Sequence, residues 1–102
     1  MEHILKNINK AFDNRVRLGI MSILSVNDGA TFTRLKELLG VTDGNLASHL
    51  KALEKEQYVS VEKTFVGRKP QTTYRITQTG REAFKRHIEA LEKLIGGSRG
   101  KE

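Results

Sequence analysis

The segment from Thr33 to Gly40 and the helix after it constrain the fold of this chain more than any other feature. Three leucines follow Thr33 at helical spacing: Leu35, Leu38 and Leu39. Thr33 belongs to the residue types that cap helix N-termini, and Gly40 can adopt the left-handed backbone angles that end a helix. The pattern predicts a short helix that stops at a tight turn.

A second helix is predicted directly after this turn. Thr42 can cap it, and it continues over residues 42–57 with Leu46, Leu50 and Leu53 on one face at spacings of four and three. The leucines of both helices would close on one small core. The other face of the second helix would then point outward at a fixed angle.

A β-hairpin follows these two helices. Residues 58–65 and 72–77 alternate between apolar and polar side chains, which is typical of strands, and residues 66–71 between them are predicted to be the loop. Gly67 and Pro70 shape that loop, and Arg68 and Lys69 lie at its tip. Residues 30–32 are long enough only for a short edge strand.

Helices are predicted at both ends of the chain. The first runs from Ile4 to about Phe12, and the next begins at Asp13 or Asn14 and ends near Val26. The last begins near residue 77 or 79, where Thr79 and Glu82 could form a capping box. The predicted fold class is therefore α+β, mainly α. It comprises one domain over residues 1–95 and a flexible basic tail over residues 96–102.

Charge and composition exclude several classes of protein. Eighteen Lys and Arg oppose twelve Asp and Glu, giving a net charge of +6 and a pI near 9.8, which favours polyanionic partners. No apolar run reaches the roughly 18 residues of a membrane span and no signal peptide is evident, so a cytoplasmic protein is expected. No phosphate-binding glycine loop or nucleophile elbow is present, which argues against an enzyme.

No metal site or cofactor is expected. The chain contains no cysteine, which excludes disulfides and thiolate metal sites. His3 and His87 lie on the terminal helices without acidic partners at ligand spacing. His49 is expected to be a structural histidine or to bridge the core and a phosphate backbone.

Two short helices followed by a basic hairpin are typical of helix-turn-helix proteins, whose second helix enters the DNA major groove. The outward arc of residues 42–57 carries small, polar or cationic side chains: Gly44, Asn45, Ser48, Lys51, Ala52 and Lys55. Asn45 can make a bidentate contact with adenine, and Lys51 and Lys55 suit phosphates. An ordinary solvated face is the alternative interpretation.

Further phosphate contacts are predicted outside this arc. Thr31, Thr33 and Arg34 lie at the start of the first helix of the pair, and Thr42 lies at the start of the second, where hydroxyl groups, backbone N–H groups and the helix dipole favour an anion. Simple capping explains the threonines equally well. Arg68 and Lys69 are placed to reach the adjacent minor groove or its phosphates, although a charged tip also serves solubility.

Three segments carry a resemblance to a known family: residues 12–20, residues 46–54 with Ser48-His49-Leu50, and residues 67–77 with Tyr74-Arg75-Ile76-Thr77. Together they resemble the compact winged-helix transcriptional regulators of the MarR and ArsR type. The resemblance implies a dimer built on the terminal helices. It also implies DNA-reading positions, which are Asn45, Ser48, His49, Lys51, Arg68 and Lys69. The chain lacks the cysteines of many ArsR-type sensors and the longer helical framework around a MarR-type ligand pocket, so no effector is assigned.

Apolar residues at the two ends of the chain carry more apolar surface than a small core could bury. They are Ile4, Leu5, Ile8, Phe12, Phe84, Ile88, Leu91 and Ile95. A twofold partner would cover such a patch, so these residues are predicted to form a homodimer interface. The favoured function is sequence-specific binding of double-stranded DNA by a homodimeric transcriptional regulator. A winged helix used for protein interaction is the alternative, and RNA binding is disfavoured because no aromatic side chains are arranged to stack on bases.

Overall fold

A computed structural model describes residues 5–96, so Ile4, His3 and most of the basic tail lie outside the described residues. The helices are α1 (Arg15–Val26), α2 (Phe32–Leu39), α3 (Asp43–Lys55) and α4 (Gln78–Gly96), preceded by a 3-10 helix at Lys10–Phe12. The strands are β1 (Ala30–Thr31), β2 (Val59–Val66) and β3 (Lys69–Ile76), forming an antiparallel sheet in the order β1-β3-β2. The predicted mainly helical α+β fold is confirmed.

The core lies where α1, α2 and α3 meet the base of the sheet. Leu46, Leu50 and Leu53 of α3 are buried as predicted, and so is Leu35 of α2. Leu38, in contrast, is exposed, so its predicted place in the core was wrong. The eight residues of α2 bury a narrow stripe, and Leu38 lies outside it.

Side-chain caps define where the helices begin. Asn14 caps α1 by accepting the backbone N–H groups of residues 16 and 17, and Thr42 caps α3 as predicted. Thr31, rather than Thr33, caps α2, with its Oγ1 accepting from Arg34 N at 3.1 Å. The edge strand β1 leads straight into α2, so the cap falls two residues earlier than the sequence suggested.

The predicted N-terminal helix does not extend to Phe12. Residues 6–9 form a turn and irregular backbone before the 3-10 helix, and Phe12 is buried with only 2% of its surface exposed. The ring of Phe12 packs edge-on against that of Phe84 on α4, with ring centroids 5.5 Å apart. The N-terminal segment is therefore anchored in the core of its own chain by an aromatic contact that helical spacing did not anticipate.

Two hydrogen bonds from Asn9 hold the same segment in place. Its backbone N–H donates to Nδ1 of His87 at 3.0 Å, and its Nδ2 donates to the hydroxyl of Tyr58 at 3.1 Å. His87 is the one buried polar residue among residues 5–96. Burial lowers the pKa of His87, while the carboxylate of Asp13 acts in the opposite direction.

The hairpin is longer, and its turn tighter, than the sequence predicted. Val66 pairs with Lys69, so only Gly67 and Arg68 form the turn, and Pro70 lies within β3 opposite Phe65. A positive φ of 65° at Gly67 but not at Arg68 fits a type II′ turn. The predicted loop over residues 66–71 is thus mostly strand.

Helix α4 packs closely against the start of the hairpin. A Cβ atom at Gly80 would collide with the backbone carbonyl of Tyr58, so only glycine fits there. Thr77, one of the two caps that the sequence allowed, accepts from the N–H of Gly80 and donates its hydroxyl to the carbonyl of Gln57. Across residues 5–96, no helix combines the length and apolar character needed to cross a membrane.

Candidate nucleic-acid interface

Helix α3 presents a polar and cationic face to solvent because its three leucines fix the opposite face in the core. The exposed side of the helix carries Asp43, Gly44, Asn45, Ala47, Ser48, Lys51 and Lys55, and Ala52 is half-buried at its margin. Five of the six residues predicted to point outward are therefore exposed. The side chains on this face could donate to phosphates or read base edges.

The turn between α2 and α3 fixes the angle of α3. Gly40 has a φ of 65°, and its N–H donates to the carbonyl of Lys36 at 2.9 Å, which ends α2. The Nζ of Lys36 also lies 2.8 Å from a carboxylate oxygen of Asp43, at the start of α3. Thr42 Oγ1 accepts from Asn45 N at 3.2 Å, and its own O–H, which donates to no group within residues 5–96, can donate to an external acceptor.

Gly44 is a glycine that the fold itself does not require. It lies in the first turn of α3 outside the left-handed region, and an added Cβ would meet nothing within 4 Å. A glycine within a helix costs stability relative to alanine. Without a side chain at this position, the backbone of the first turn of α3 is open to close approach from outside.

His49 is held on the flank of α3 by Arg17 of α1. The Nε of Arg17 donates to Nδ1 of His49 at 2.9 Å, and both residues are half-buried. Burial, and secondly the positive charge of Arg17, lower the pKa of His49, so the neutral ring is favoured. With Nδ1 accepting from Arg17, the ring proton resides on Nε2, which can donate to another acceptor.

Sequence reasoning missed Arg17. It lies 32 positions before His49, and its partner is set by the packing of α1 on α3. The available signal was its place within the family-like segment over residues 12–20.

The start of α2 faces the hairpin across an open cleft of about 580 Å³. Thr31, Thr33 and Phe32 line one side, and Val66 and residues 69–72 of the hairpin line the other. Thr33 is exposed and is not the cap, while Arg34 lies within 3.5 Å of Glu37 in an exposed ion pair. The cleft combines hydroxyl groups with the Lys69 ammonium group, a chemistry that suits a phosphate.

The hairpin forms a wing with a cationic tip. Arg68 lies in the turn and Lys69 at the first position of β3, and both are exposed. Nearer the base, Arg75 pairs with Glu62 at 2.6 Å across the strands. Tyr74 is buried there, and burial followed by the charge of Glu54 on α3 raises its pKa.

The predicted dimer residues fall into two groups. Phe12 and Phe84 are buried within the chain and need no partner to cover them, which corrects the reasoning that placed them in an uncovered patch. Leu5 and Ile95 are exposed, whereas Ile8, Ile88 and Leu91 are half-buried. Leu94, which was not predicted, is also exposed near the end of α4.

A helix-turn-helix with an exposed polar second helix, followed by a β-hairpin wing, defines the winged helix class of protein. The chain belongs to the winged helix DNA-binding domain family, whose model matches residues 16–95.

Similar proteins support this assignment. The chain is 39% identical over 85 residues to an uncharacterized protein of Methanocaldococcus jannaschii, a match covering 83% of this chain and 92% of that protein. The structure of a transcriptional regulator homologue from Pyrococcus horikoshii superimposes with a TM-score of 0.86 at 36% identity, covering 95% of this chain and 97% of that one. The crystal structure of MarR matches with a TM-score of 0.74 at 17% identity, covering 88% and 65% of the two chains, and so shares the fold. The predicted resemblance to MarR-type regulators is confirmed at the level of the fold, and the ArsR-type resemblance stays a prediction.

Proposed function

We propose that this protein is a homodimeric transcriptional regulator that binds specific sites in double-stranded DNA. The observation that carries the proposal is the exposed face of α3, where small, amide, hydroxyl and ammonium groups lie opposite a fully buried leucine stripe. An α-helix fits the major groove, which is about 12 Å wide, and such groups match its base edges and phosphates. The family to which the chain belongs supports this function.

Each part of the interface has a distinct role in the proposal. Asn45 and Ser48 read base edges in the major groove, while Lys51 and Lys55 contact phosphates toward the C-terminal end of α3. Thr42 donates its free hydroxyl hydrogen to a phosphate at the start of the helix. His49 uses its Nε2 proton on the DNA backbone while Arg17 holds its Nδ1.

The wing and the start of α2 extend the same interface. Arg68 enters the adjacent minor groove or contacts its phosphates, and Lys69 faces the cleft beside Thr33. Arg34 contacts a phosphate in place of Glu37. Its ion pair with Glu37 is exposed to solvent and therefore weak enough to break.

The dimer places two such interfaces on one operator. Apolar residues of α4 and the N-terminal segment pair across a twofold axis and meet their symmetry mates: the exposed Leu5, Leu94 and Ile95 and the half-buried Leu91. Two recognition helices then lie about 34 Å apart, one turn of DNA, and read an inverted repeat.

Selection of bound sequences from a random duplex pool tests the proposal. We expect an enriched inverted repeat whose half-sites lie about one helical turn apart. Affinity for that site should fall by about 10³ to 10⁵ between 50 and 200 mM salt if about six to ten phosphates are contacted. Failure to enrich any sequence, together with binding that does not respond to salt, would instead favour a protein-interaction module.

A further inference from the structure

We propose that Phe65 is a wedge that enters a base step of the minor groove and bends the bound DNA. This inference rests on the proposed function, because it assigns a mechanical role to the wing of the same DNA-binding surface. It concerns the apolar side chain of the wing, whereas the function proposed above depends on its cations.

Phe65 is the most exposed aromatic residue of the described chain. Its surface is 73% exposed, whereas Phe12, Tyr74 and Phe84 are buried in the core. None of the aromatic pairs found within residues 5–96 includes it. An exposed phenyl ring near a hairpin tip lowers solubility and favours association with the strand edges of other chains. The exposure of Phe65 therefore indicates that a partner covers it.

The strand register places Phe65 close to the tip of the hairpin, where its side chain can project from the wing. It pairs with Pro70, and the two-residue turn follows one position later. Residues directly opposite each other in a hairpin share a face, so Phe65 and Pro70 form an apolar end on one side of the wing. The same face is buried at the base of the hairpin, where Val59 and Tyr74 cover the core, and emerges from the protein toward its tip.

The charges around Phe65 identify the partner as a polyanion. Lys63 lies on the same face two residues earlier, and Arg68 and Lys69 follow at the turn. The one carboxylate of the hairpin, Glu62, is already paired with Arg75 at 2.6 Å. Phe65 thus has one cation, Lys63, on its own face, Arg68 at the adjacent turn, and Lys69 on the other face of the hairpin. An apolar group beside these cations does not suit another copy of this basic chain, but it suits a DNA groove lined by phosphates.

Groove dimensions favour a wedge over insertion of the whole wing. The two strands lie about 4.8 Å apart before their side chains are added, and the minor groove is only about 6 Å wide. The hairpin therefore rests on the groove, and a side chain at its tip reaches the bases. Phenylalanine is among the residues that architectural DNA-binding proteins insert between base pairs to kink the duplex.

DNA bending measured by fluorescence energy transfer across the selected operator tests the inference. We expect the wild-type protein to bend the duplex by about 20 to 90°, and Phe65→Ala to abolish most of that bend while weakening binding by about tenfold. Phe65→Leu should retain much of the bend because leucine is also an apolar wedge. A 2-aminopurine base at the kinked step should brighten with the wild type and not with Phe65→Ala.

Thr64→Ala is the matched control. Thr64 is also exposed and lies on the same strand, outside the cleft beside α2, but as the residue before Phe65 it points to the opposite face. Its removal should leave the bend unchanged. Thermal unfolding should be nearly the same for all these variants because neither side chain is buried.

The outcomes separate this inference from the proposed function. A wild-type protein that binds its operator without bending it, or a Phe65→Ala variant that bends it equally, would overturn the wedge and leave DNA binding intact. A change in the sedimentation of Phe65→Ala without any change in bending would overturn it in favour of self-association. Absence of any DNA binding by the wild type would remove the proposed function and the wedge together.

Discussion

Arg17 on α1 holds His49 on α3 through a hydrogen bond of 2.9 Å from Nε to Nδ1. The bond joins the helix that carries much of the core to the helix that presents the candidate DNA-reading face. It also fixes the tautomer of the imidazole, because Nδ1 must stay unprotonated to accept. The orientation of one predicted DNA contact is therefore set by a residue that is not itself on α3.

The first prediction is that Arg17 and His49 act as a unit in DNA binding. Arg17→Ala should weaken binding nearly as much as His49→Ala, and the double variant should be little worse than either one. The expected coupling is ~0.5–3 kcal/mol, measured by a double-mutant cycle on the operator. Arg15→Ala is the control, since Arg15 is exposed on the same helix and makes no side-chain hydrogen bond in the described structure. Additive losses would show that the contact has no role in binding.

The second prediction is that Gly44→Ala has opposite effects on stability and on DNA binding. An added Cβ meets nothing within 4 Å, so alanine should raise the free energy of unfolding by ~0.4–1 kcal/mol. The same methyl group should hinder the approach of DNA to the first turn of α3. Urea unfolding and an operator titration measure the two effects. A variant that gains stability and binds as tightly as the wild type would refute the close approach.

The third prediction separates base reading from phosphate contact. Asn45→Ala should cost ~1–3 kcal/mol on the preferred operator and little on unrelated duplexes, because a bidentate amide discriminates between bases. Lys55→Ala should weaken all duplexes about equally and reduce the salt dependence. Titrations of operator and scrambled duplexes at two salt concentrations measure both. Equal losses for the two variants on every duplex would mean that α3 is oriented differently.

The fourth prediction concerns pH and stability. Burial lowers the pKa of His87, so the folded protein binds this proton less readily than the unfolded chain, whose histidines titrate near 6.5. The contribution of neutral His87 is present above about pH 6.5 and is lost as the pH falls toward the lower folded value. Protonation would also break the 3.0 Å hydrogen bond from the N–H of Asn9 and loosen the N-terminal segment.

Urea unfolding at about pH 7.5 and 5.5 measures this effect in a range where most carboxylates stay ionised. The free energy of unfolding should be lower at the acidic pH. In His87→Gln the difference should shrink without vanishing, because the pKa of His49 is lowered as well. An equal difference in the variant and in the wild type would exclude His87 as the source.

The fifth prediction concerns the dimer. Leu91→Lys should convert a dimer to a monomer that retains its helix content, with specific DNA binding lost. Because Leu91 is half-buried and lysine there could disturb the chain itself, Ile95→Lys is the cleaner variant, with 82% of its surface exposed. Val26→Lys is the control, since Val26 is exposed at the end of α1, outside the proposed seam. Sedimentation of the wild type as a monomer at micromolar concentration would contradict the arrangement.

Much of the candidate interface could be predicted because it depends on local periodicity. Leucines spaced four and three residues apart bury one face of α3 and thereby expose the other, whatever the details of the surrounding packing. Thr42 and Gly40 act through hydrogen bonds to residues three or four positions away. Such short-range relationships can be predicted from the sequence alone.

Other features depended on contacts that cross long stretches of chain. Helical spacing in the N-terminal segment predicted a helix to Phe12, but tertiary contacts with Phe84, His87 and Tyr58 stabilise a 3-10 turn instead. Thr31 caps α2 in place of the predicted Thr33, because β1 pairs with β3, which lies about 40 residues later in the chain. Pairing with β2 places Lys69 and Pro70 in β3, whereas their residue types predicted a loop.

The sequence by itself determined the fold class, the exposed face of α3 and the cationic wing, because helix and strand periods and turn chemistry are properties of neighbouring residues. Only the tertiary structure decided that Arg17 holds His49, that Phe12 belongs to the core and that Phe65 projects from the wing. The physical reason is that side-chain partners and burial depend on how elements pack, and packing brings together residues with no relationship along the chain.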